Sequence, residues 1–271
     1  MSTPTVQQLI TEMERLAPPA YAEPHDPVGL QLGRQEQVVH KVMVTLDVRP
    51  EVVAEAVAAQ VDLIIAHHPM MFHPAVNLDL ADPQNAMYAT LLRHDISVFA
   101  AHTNLDEVSG GMNTWLAEVL GLTELRAFNP RPKAEPQLAA YLGVVGRLPQ
   151  AQTVREFAVT CKSKFQVAGL RLITHQPDQL VEQVAIIGGD GGKFYPAVAG
   201  TGAQVLITGD VYYHTAHDML AHGLSVIDPG HHIEAVIKTK LPPLISQWAQ
   251  ANNWQLSVCS SQLSTDPFQF I

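Results

Sequence analysis

Three features of this chain predict an α/β fold of two interleaved domains, with mainly parallel sheets flanked by helices and the second domain inserted in the first. Short apolar runs alternate with segments of helical spacing, the order that builds a parallel sheet covered by helices. A polar stretch holding three prolines, Asn129-Pro130-Arg131-Pro132-Lys133-Ala134-Glu135-Pro136, breaks that order, since it can continue neither a helix nor a central strand. Residues of metal-binding type recur near both ends of the chain, so the first and last segments must meet and the middle is an insertion. The expected division is a split domain, 1–126 with 226–271, around an inserted domain, 127–225.

Taken in order, residues 42–46 (Val-Met-Val-Thr-Leu) read as a buried strand. Pro50 then opens a helix over 51–60, proline being favoured in the first turn. Residues 61–66 form the next strand. Asp82-Pro83 caps and starts a helix through Arg93, 96–101 is another strand, and Gly110-Gly111 leads into a helix that ends near Gly121. Beyond the proline-rich stretch, 138–145 reads as a strand and 153–165 as a helix capped by Thr153 with Glu156 three residues on. Strands follow at 169–173, 184–187, 204–207 and 224–227, with a helix at 213–221, a further helix after His231 and a last strand near 255–258. In such sheets ligands bind beyond the carboxyl ends of the strands.

That is where the informative residues fall. His67-His68 follows the second apolar run, His102-Thr103-Asn104-Leu105-Asp106 follows the third, and Gly230-His231-His232-Ile233-Glu234 closes the set. Neutral nitrogen and anionic oxygen donors at the ends of separate rigid segments are what a metal site requires. Neighbouring strand residues point to opposite faces, so His67 and His68 share a site only if the backbone turns there, as Pro69 favours. His231 and Glu234 stand one helical turn apart, on one face of a helix. Any one of 13 histidines in 271 residues is unremarkable; the joint pattern carries the reading of a site for two metal ions.

Composition excludes other classes. The net charge of -10, from 16 basic and 26 acidic residues, argues against nucleic acid as main partner. Only Cys161 and Cys259 are present, which excludes a cysteine metal cage and fits a reducing compartment. With no secretory pattern and no apolar run of membrane-spanning length, the expected location is the cytoplasm and no membrane partner is expected. The run Gly188-Gly189-Asp190-Gly191-Gly192-Lys193 lacks the spacing of a phosphate loop, so it reads first as a tight turn after a strand, one that can still border a substrate pocket.

The combination Ile65-Ala66-His67-His68-Pro69, His102-Thr103-Asn104-Leu105-Asp106, Gly110-Gly111-Met112-Asn113, Ile207-Thr208-Gly209-Asp210 and Gly230-His231-His232-Ile233-Glu234 resembles the Nif-three-like family, often labelled GTP cyclohydrolase I type 2 homologues, over nearly the whole chain. Asp26-Pro27-Val28-Gly29-Leu30, with Gly33, is similar to the family's Trp-Asp-Asn-Val-Gly-Leu signature, with His25 in place of the aromatic residue and Pro27 in place of the amide. The resemblance implies a two-domain α/β subunit of the short form, without the additional central domain of longer members, in a hexameric ring with dinuclear metal centres. It implies His67, His68, Asp106, His231 and Glu234 as ligands of two divalent ions, which the donor types suit to zinc, iron or manganese.

A metal-dependent hydrolase acting on a nucleotide-like or phosphate-bearing small molecule is the leading expectation. A non-catalytic metal-binding, storage, scaffold or regulatory ring protein is the alternative. His102, His214 and Glu107 are the candidates for proton transfer or for support of the ligands.

Overall fold

The structure, a computed structural model, describes residues 2–131, 133 and 139–271. Parts of the proline-rich stretch, and Leu138 at the start of the expected 138–145 strand, lie outside them. The chain forms two compact units, Met1–Leu105 with Ile237–Thr265 and Asp106–Val236 with Asp266–Ile271.

The first unit opens with α1 (Val6–Leu16), started by a capping box in which Thr5 and Gln8 satisfy each other's backbone amides. Its buried face, Val6, Leu9, Ile10 and Met13, follows helical spacing. Then come β1 (Gly29–Leu32), β2 (Lys41–Thr45), α2 (Pro50–Ala58), β3 (Leu63–Ala66), α3 (Pro83–Arg93) and β4 (Ser97–Ala100). Asp82 caps α3 by accepting from the amides of Gln84 and Asn85. α4 (Thr103–Glu107) carries the chain into the second unit.

That unit contains α5 (Met112–Leu120), β5 (Thr123–Ala127), β6 (Val144–Thr153), α6 (Val154–Lys164), β7 (Arg171–Ile173), β8 (Leu180–Ile186), α7 (Tyr195–Val198), β9 (Val205–Ile207), α8 (Tyr213–Ala221), β10 (Ser225–Asp228) and a 3-10 helix, His231–Val236. The chain then returns to the first unit with α9 (Ile237–Ala251) and β11 (Ser257–Ser260).

The first sheet has the order β1-β4-β3-β2-β11 and is parallel except where β1 runs against β4. Its inner strands are buried along their length, which is why they read as unbroken apolar runs. Met43, Ile64 and Val98 pack there with Val52 of α2 and Leu91 of α3. Thr45, Ala66 and Ala100 are in register, so three neighbouring strands end together.

The second sheet has the order β5-β6-β8-β9-β10-β7. It is mixed rather than mainly parallel: β8, β9 and β10 run parallel, while β5, β6 and β7 pair antiparallel. Ile186, Ile207 and Ile227 are in register at the carboxyl ends of its parallel core. Each unit therefore offers one row of parallel strand ends. No helix among the described residues is long and apolar enough to cross a membrane.

Candidate metal centre

In the first unit the residues just past β2, β3 and β4 face the same row of strand ends. Past β3 the backbone bends, the amides of His67 and His68 donating to the carbonyls of Thr45 at 3.3 Å and Leu46 at 3.0 Å. The bend lets adjacent residues share one location, with ring centroids 5.0 Å apart.

Each ring is oriented by oxygen at Nδ1. His67 Nδ1 lies 2.8 Å from the carbonyl of Ala101, and a carbonyl can only accept, so that nitrogen bears the proton. His68 Nδ1 lies 2.7 Å from Asp47 Oδ1, and His102 Nδ1 lies 2.9 Å from Asp26 Oδ1. One donor atom from each of His67, His68 and His102 lies within 4.8 Å of the other two.

Asp26 is itself tied down, its second oxygen accepting from the amide of Thr103 at 3.1 Å and from the Thr103 hydroxyl. Burial acts to raise its carboxyl, but the hydrogen bonds from His102 and Thr103 and the charge of His102 prevail and hold it below the usual carboxylate range.

In the second unit the 3-10 helix His231–Val236 starts just past β10. At three residues per turn, positions i and i+3 eclipse. His231 Nε2 and Glu234 Oε2 accordingly approach to 3.1 Å, as the spacing of three implied. His231 Nδ1 lies 2.7 Å from Oδ2 of Asp210, which comes from the turn past β9. Asp106, on α4, offers a carboxylate oxygen within 4.8 Å of one from Glu234. Asn113 fixes the local frame: its amide nitrogen donates to the Asp106 carbonyl at 3.0 Å, and its oxygen accepts from the Gly188 amide at 2.8 Å.

The glycine run past β8 now has a physical reason. A methyl group on Gly188 would stand 2.8 Å from Glu234 Oε1, and one on Gly189 2.9 Å from the same oxygen and 3.3 Å from His231 Nε2. Gly209 is constrained likewise, since its methyl would meet the His231 amide at 2.7 Å. The run makes room for Glu234 and His231. The amides of Gly188 and Gly191 already donate to Asn113 and to Thr208 Oγ1, which argues against a phosphate cradle built from those two groups.

Two of the three supporting candidates face elsewhere. The buried carboxylate of Glu107 pairs with Lys133 Nζ at 2.7 Å and Arg131 Nε at 3.8 Å. His214 is exposed on α8, its ring packed against Tyr212 and Tyr213. His102 is the one brought to other histidines.

The residues missed in the sequence are the anchors, Asp47, Asp26 and Asp210. Their local signal is faint: an acidic residue just past an apolar run, or inside a motif. A cavity of about 210 Å³ lies beside Asp106, lined by Ser109, Asn113, Arg126, Tyr141 and Val144 among others.

These donors suit a divalent transition metal. A ligating histidine characteristically donates its other ring N–H to a carboxylate or carbonyl, which fixes the tautomer and the ring plane. His67, His68, His102 and His231 all do so.

Residues 4–267 match the family described as Duf34/NIF3 (NGG1p interacting factor 3). A Streptococcus pneumoniae protein named GTP cyclohydrolase 1 type 2 homolog is 40% identical over 267 residues, covering 97% of this chain and 98% of that protein. A Listeria innocua protein of the same name is 34% identical over 361 aligned positions, covering 95% of this chain and 96% of itself. The latter alignment is longer than this 271-residue chain, so that relative carries sequence this one lacks. Among solved structures, a Bacillus cereus protein related to NIF3 superposes with a TM-score of 0.92 at 27% identity, with 100% of both chains covered. A Staphylococcus aureus hypothetical protein gives 0.93 at 30% identity, covering 98% of this chain and 99% of its own.

Proposed function

This chain belongs to the Duf34/NIF3 family, and from that premise we propose that it is a metal-dependent hydrolase holding about two divalent ions through His67, His68, Asp106, His231 and Glu234. The observation that carries the reading is the shared state of the histidines. Each proposed imidazole ligand is oriented at Nδ1 by oxygen, so that Nε2 is the nitrogen that would be turned to a metal, and in His231 that nitrogen faces Glu234 Oε2 at 3.1 Å, a second donor of the same set. Glu234, beside both His231 and Asp106, is the member suited to bridge two ions.

A pair of divalent ions supplies a water of lowered pKa and neutralises charge on attacking and leaving oxygens. Five protein donors for two ions leave positions open to solvent and substrate, which favours catalysis over a purely structural site. The chain's own part is to orient the donors through Asp47, Asp210 and the Ala101 carbonyl, and to keep the space beside Glu234 clear with Gly188 and Gly189.

The substrate class is a nucleotide-like or phosphate-bearing small molecule. Exposed Lys193 at the end of the glycine run, together with the metal charge, would face anionic oxygens. The relatives' name, GTP cyclohydrolase 1 type 2 homolog, makes hydrolytic opening of a purine ring one form of the proposal. Assembly into a hexameric ring belongs to it as well, on the family resemblance.

The test is a metal-replete screen of nucleotides, phosphomonoesters, phosphodiesters and cyclic amides read by mass spectrometry, repeated with Asp106→Ala and Glu234→Ala. Turnover that disappears in both variants is the expected result. Silence from fully metallated protein across the panel refutes the hydrolase and favours a storage or scaffold role.

A further inference from the structure

We propose that the second unit carries a nucleotide-binding surface at the start of α8, where the exposed rings of Tyr212 and Tyr213 stack a nucleobase and Lys193 takes up the phosphate. The inference rests on the reading that the substrate is nucleotide-like, and it names the residues that would recognise the two halves of such a molecule.

The aromatic half is a patch rather than a scatter of rings. Tyr212 and Tyr213 are each 70% exposed, and His214 and His217 are exposed beside them. Tyr213 and His217 stand four residues apart on one face of the helix, with centroids 4.8 Å apart at 72°. His214 meets Tyr213 at 5.3 Å and 87°, and Tyr212 at 5.9 Å and 52°. A single exposed ring needs no explanation, but four in mutual contact form a surface that suits a partner. The tilted contacts hold each ring in one orientation while leaving the tyrosines open to solvent. Two hydroxyls and two imidazoles rim the patch, and an aliphatic partner would leave those polar atoms dry and unpaired. A nucleobase stacks through its π-face and satisfies such atoms along its edge.

The backbone that presents these rings is fixed. Val211, just before them, donates its amide to the buried Asp228 Oδ2 at 3.0 Å and accepts at its carbonyl from Arg171 at 3.1 Å. Arg171 pairs with Asp228 in turn, which closes the triangle. On the other side α8 is anchored by the buried Met219.

The cationic half comes from the end of the glycine run. A methyl group on Gly192 would stand 3.9 Å from Val211 Cα and 4.0 Å from Thr215 Cγ2, so the chain at Gly192 lies against the first turn of α8. Lys193 is the next residue, and it is exposed. Its Nζ lies 5.1 Å from the Phe194 ring centroid, and the Arg131 guanidinium lies 5.0 Å from the same centroid, so two positive charges gather at one ring. Among the described residues Lys193 has no ion-pair partner. An open cation beside an aromatic patch matches the charge and the shape of a nucleotide. Tyr212 stands two residues past Asp210, at most about 7 Å along the chain, and Asp210 holds His231 Nδ1 at 2.7 Å. A ligand stacked on the tyrosines therefore stays close to His231.

The test measures binding by calorimetry to the zinc-loaded full chain, with guanosine monophosphate, guanosine and ribose 5-phosphate as probes and light scattering to follow assembly. Wild type is expected to bind the nucleotide more tightly than either fragment. Tyr212→Ala combined with Tyr213→Ala is expected to weaken the nucleotide and guanosine ~10–100-fold and to leave ribose 5-phosphate unchanged. Tyr212→Phe combined with Tyr213→Phe keeps the rings and is expected to retain affinity. Lys193→Gln is expected to weaken the nucleotide and ribose 5-phosphate about 10-fold and to spare guanosine.

Unchanged nucleotide affinity in the double alanine variant overturns the inference, as does a wild type that binds ribose 5-phosphate as tightly as the nucleotide, or binds no probe. A double alanine variant that loses its assembly yet keeps nucleotide affinity overturns it in favour of a surface between copies of this chain. Nucleotide binding that depends on the tyrosines, in a protein that turns over nothing, supports the inference and refutes the hydrolase. Turnover that depends on Asp106 and Glu234, with nucleotide affinity indifferent to the tyrosines, does the reverse.

Discussion

Replacing Gly189 by alanine tests whether the glycine run exists to keep Glu234 and His231 in place. Gly189 has φ +58° and its added methyl would lie 2.9 Å from Glu234 Oε1, where ordinary contact begins at 3.4 Å. The oxygen must retreat by about 0.5 Å, more than the roughly 0.2 Å tolerance of metal–ligand distances. Displacement of a donor or its support lowers metal affinity about 10–100-fold. That corresponds to about 1.4–2.8 kcal/mol of binding free energy.

Alanine at positive φ also costs about 1–2 kcal/mol of backbone strain, which has to be separated from the displacement. Gly202→Ala is the control, since Gly202 has φ +82° but its methyl would meet nothing closer than Gln183 Oε1 at 3.6 Å. Chelator competition with zinc measures affinity, and thermal denaturation of the metal-free proteins measures strain. Both variants should lose similar stability, and only Gly189→Ala should lose affinity. Equal zinc affinity in the two variants would refute the reasoning.

Asp47→Asn removes the carboxylate that orients His68 Nδ1, and zinc affinity should fall about 10–100-fold with little change in circular dichroism; unchanged affinity would remove Asp47 from the site. Thr153→Ala breaks the capping box of α6 and should cost about 1 kcal/mol, read as a lower urea midpoint at constant slope. Asp26 has a depressed folded pKa, so its contribution to stability is full above the unfolded carboxyl value and is lost as pH falls through the folded one. In metal-free protein this loss should appear below about pH 4 and be absent from Asp26→Asn; parallel stability-against-pH curves for the two proteins would contradict it.

Much of the fold is legible in the chain because the inner strands of each unit are covered on both faces. Leu63–Ala66 and Val205–Ile207 are wholly buried, which leaves unbroken apolar runs. Thr153 with Glu156, and Asp82 with Pro83, mark helix starts by their own hydrogen bonding. The edges are harder to read. All five residues of β5 are exposed, and β1 is half-buried throughout, so neither shows a run or an alternation, and the mixed pairing of the second sheet is hidden with them. The helix α1 was there to be read in Thr5 and Gln8 but is masked by its charged outer face.

The compact units divide at Leu105–Asp106, inside a short helix, and at Val236–Ile237, where one helix runs into another, and composition does not change at either place. At the site, the histidines and carboxylates stand out by residue type and position. Their anchors do not: Asp26 reaches His102 across 76 positions and Asp210 reaches His231 across 21, contacts that only the folded strand order creates.

The most direct measurement is metal content per chain, by elemental analysis of protein purified without added chelator, beside His67→Ala, Asp106→Ala and Glu234→Ala. The wild type should carry about two divalent ions per chain and each variant fewer, with circular dichroism unchanged. A wild type free of metal after incubation with zinc, iron and manganese, or undiminished metal in all three variants, would contradict the assignment of these residues to a metal centre.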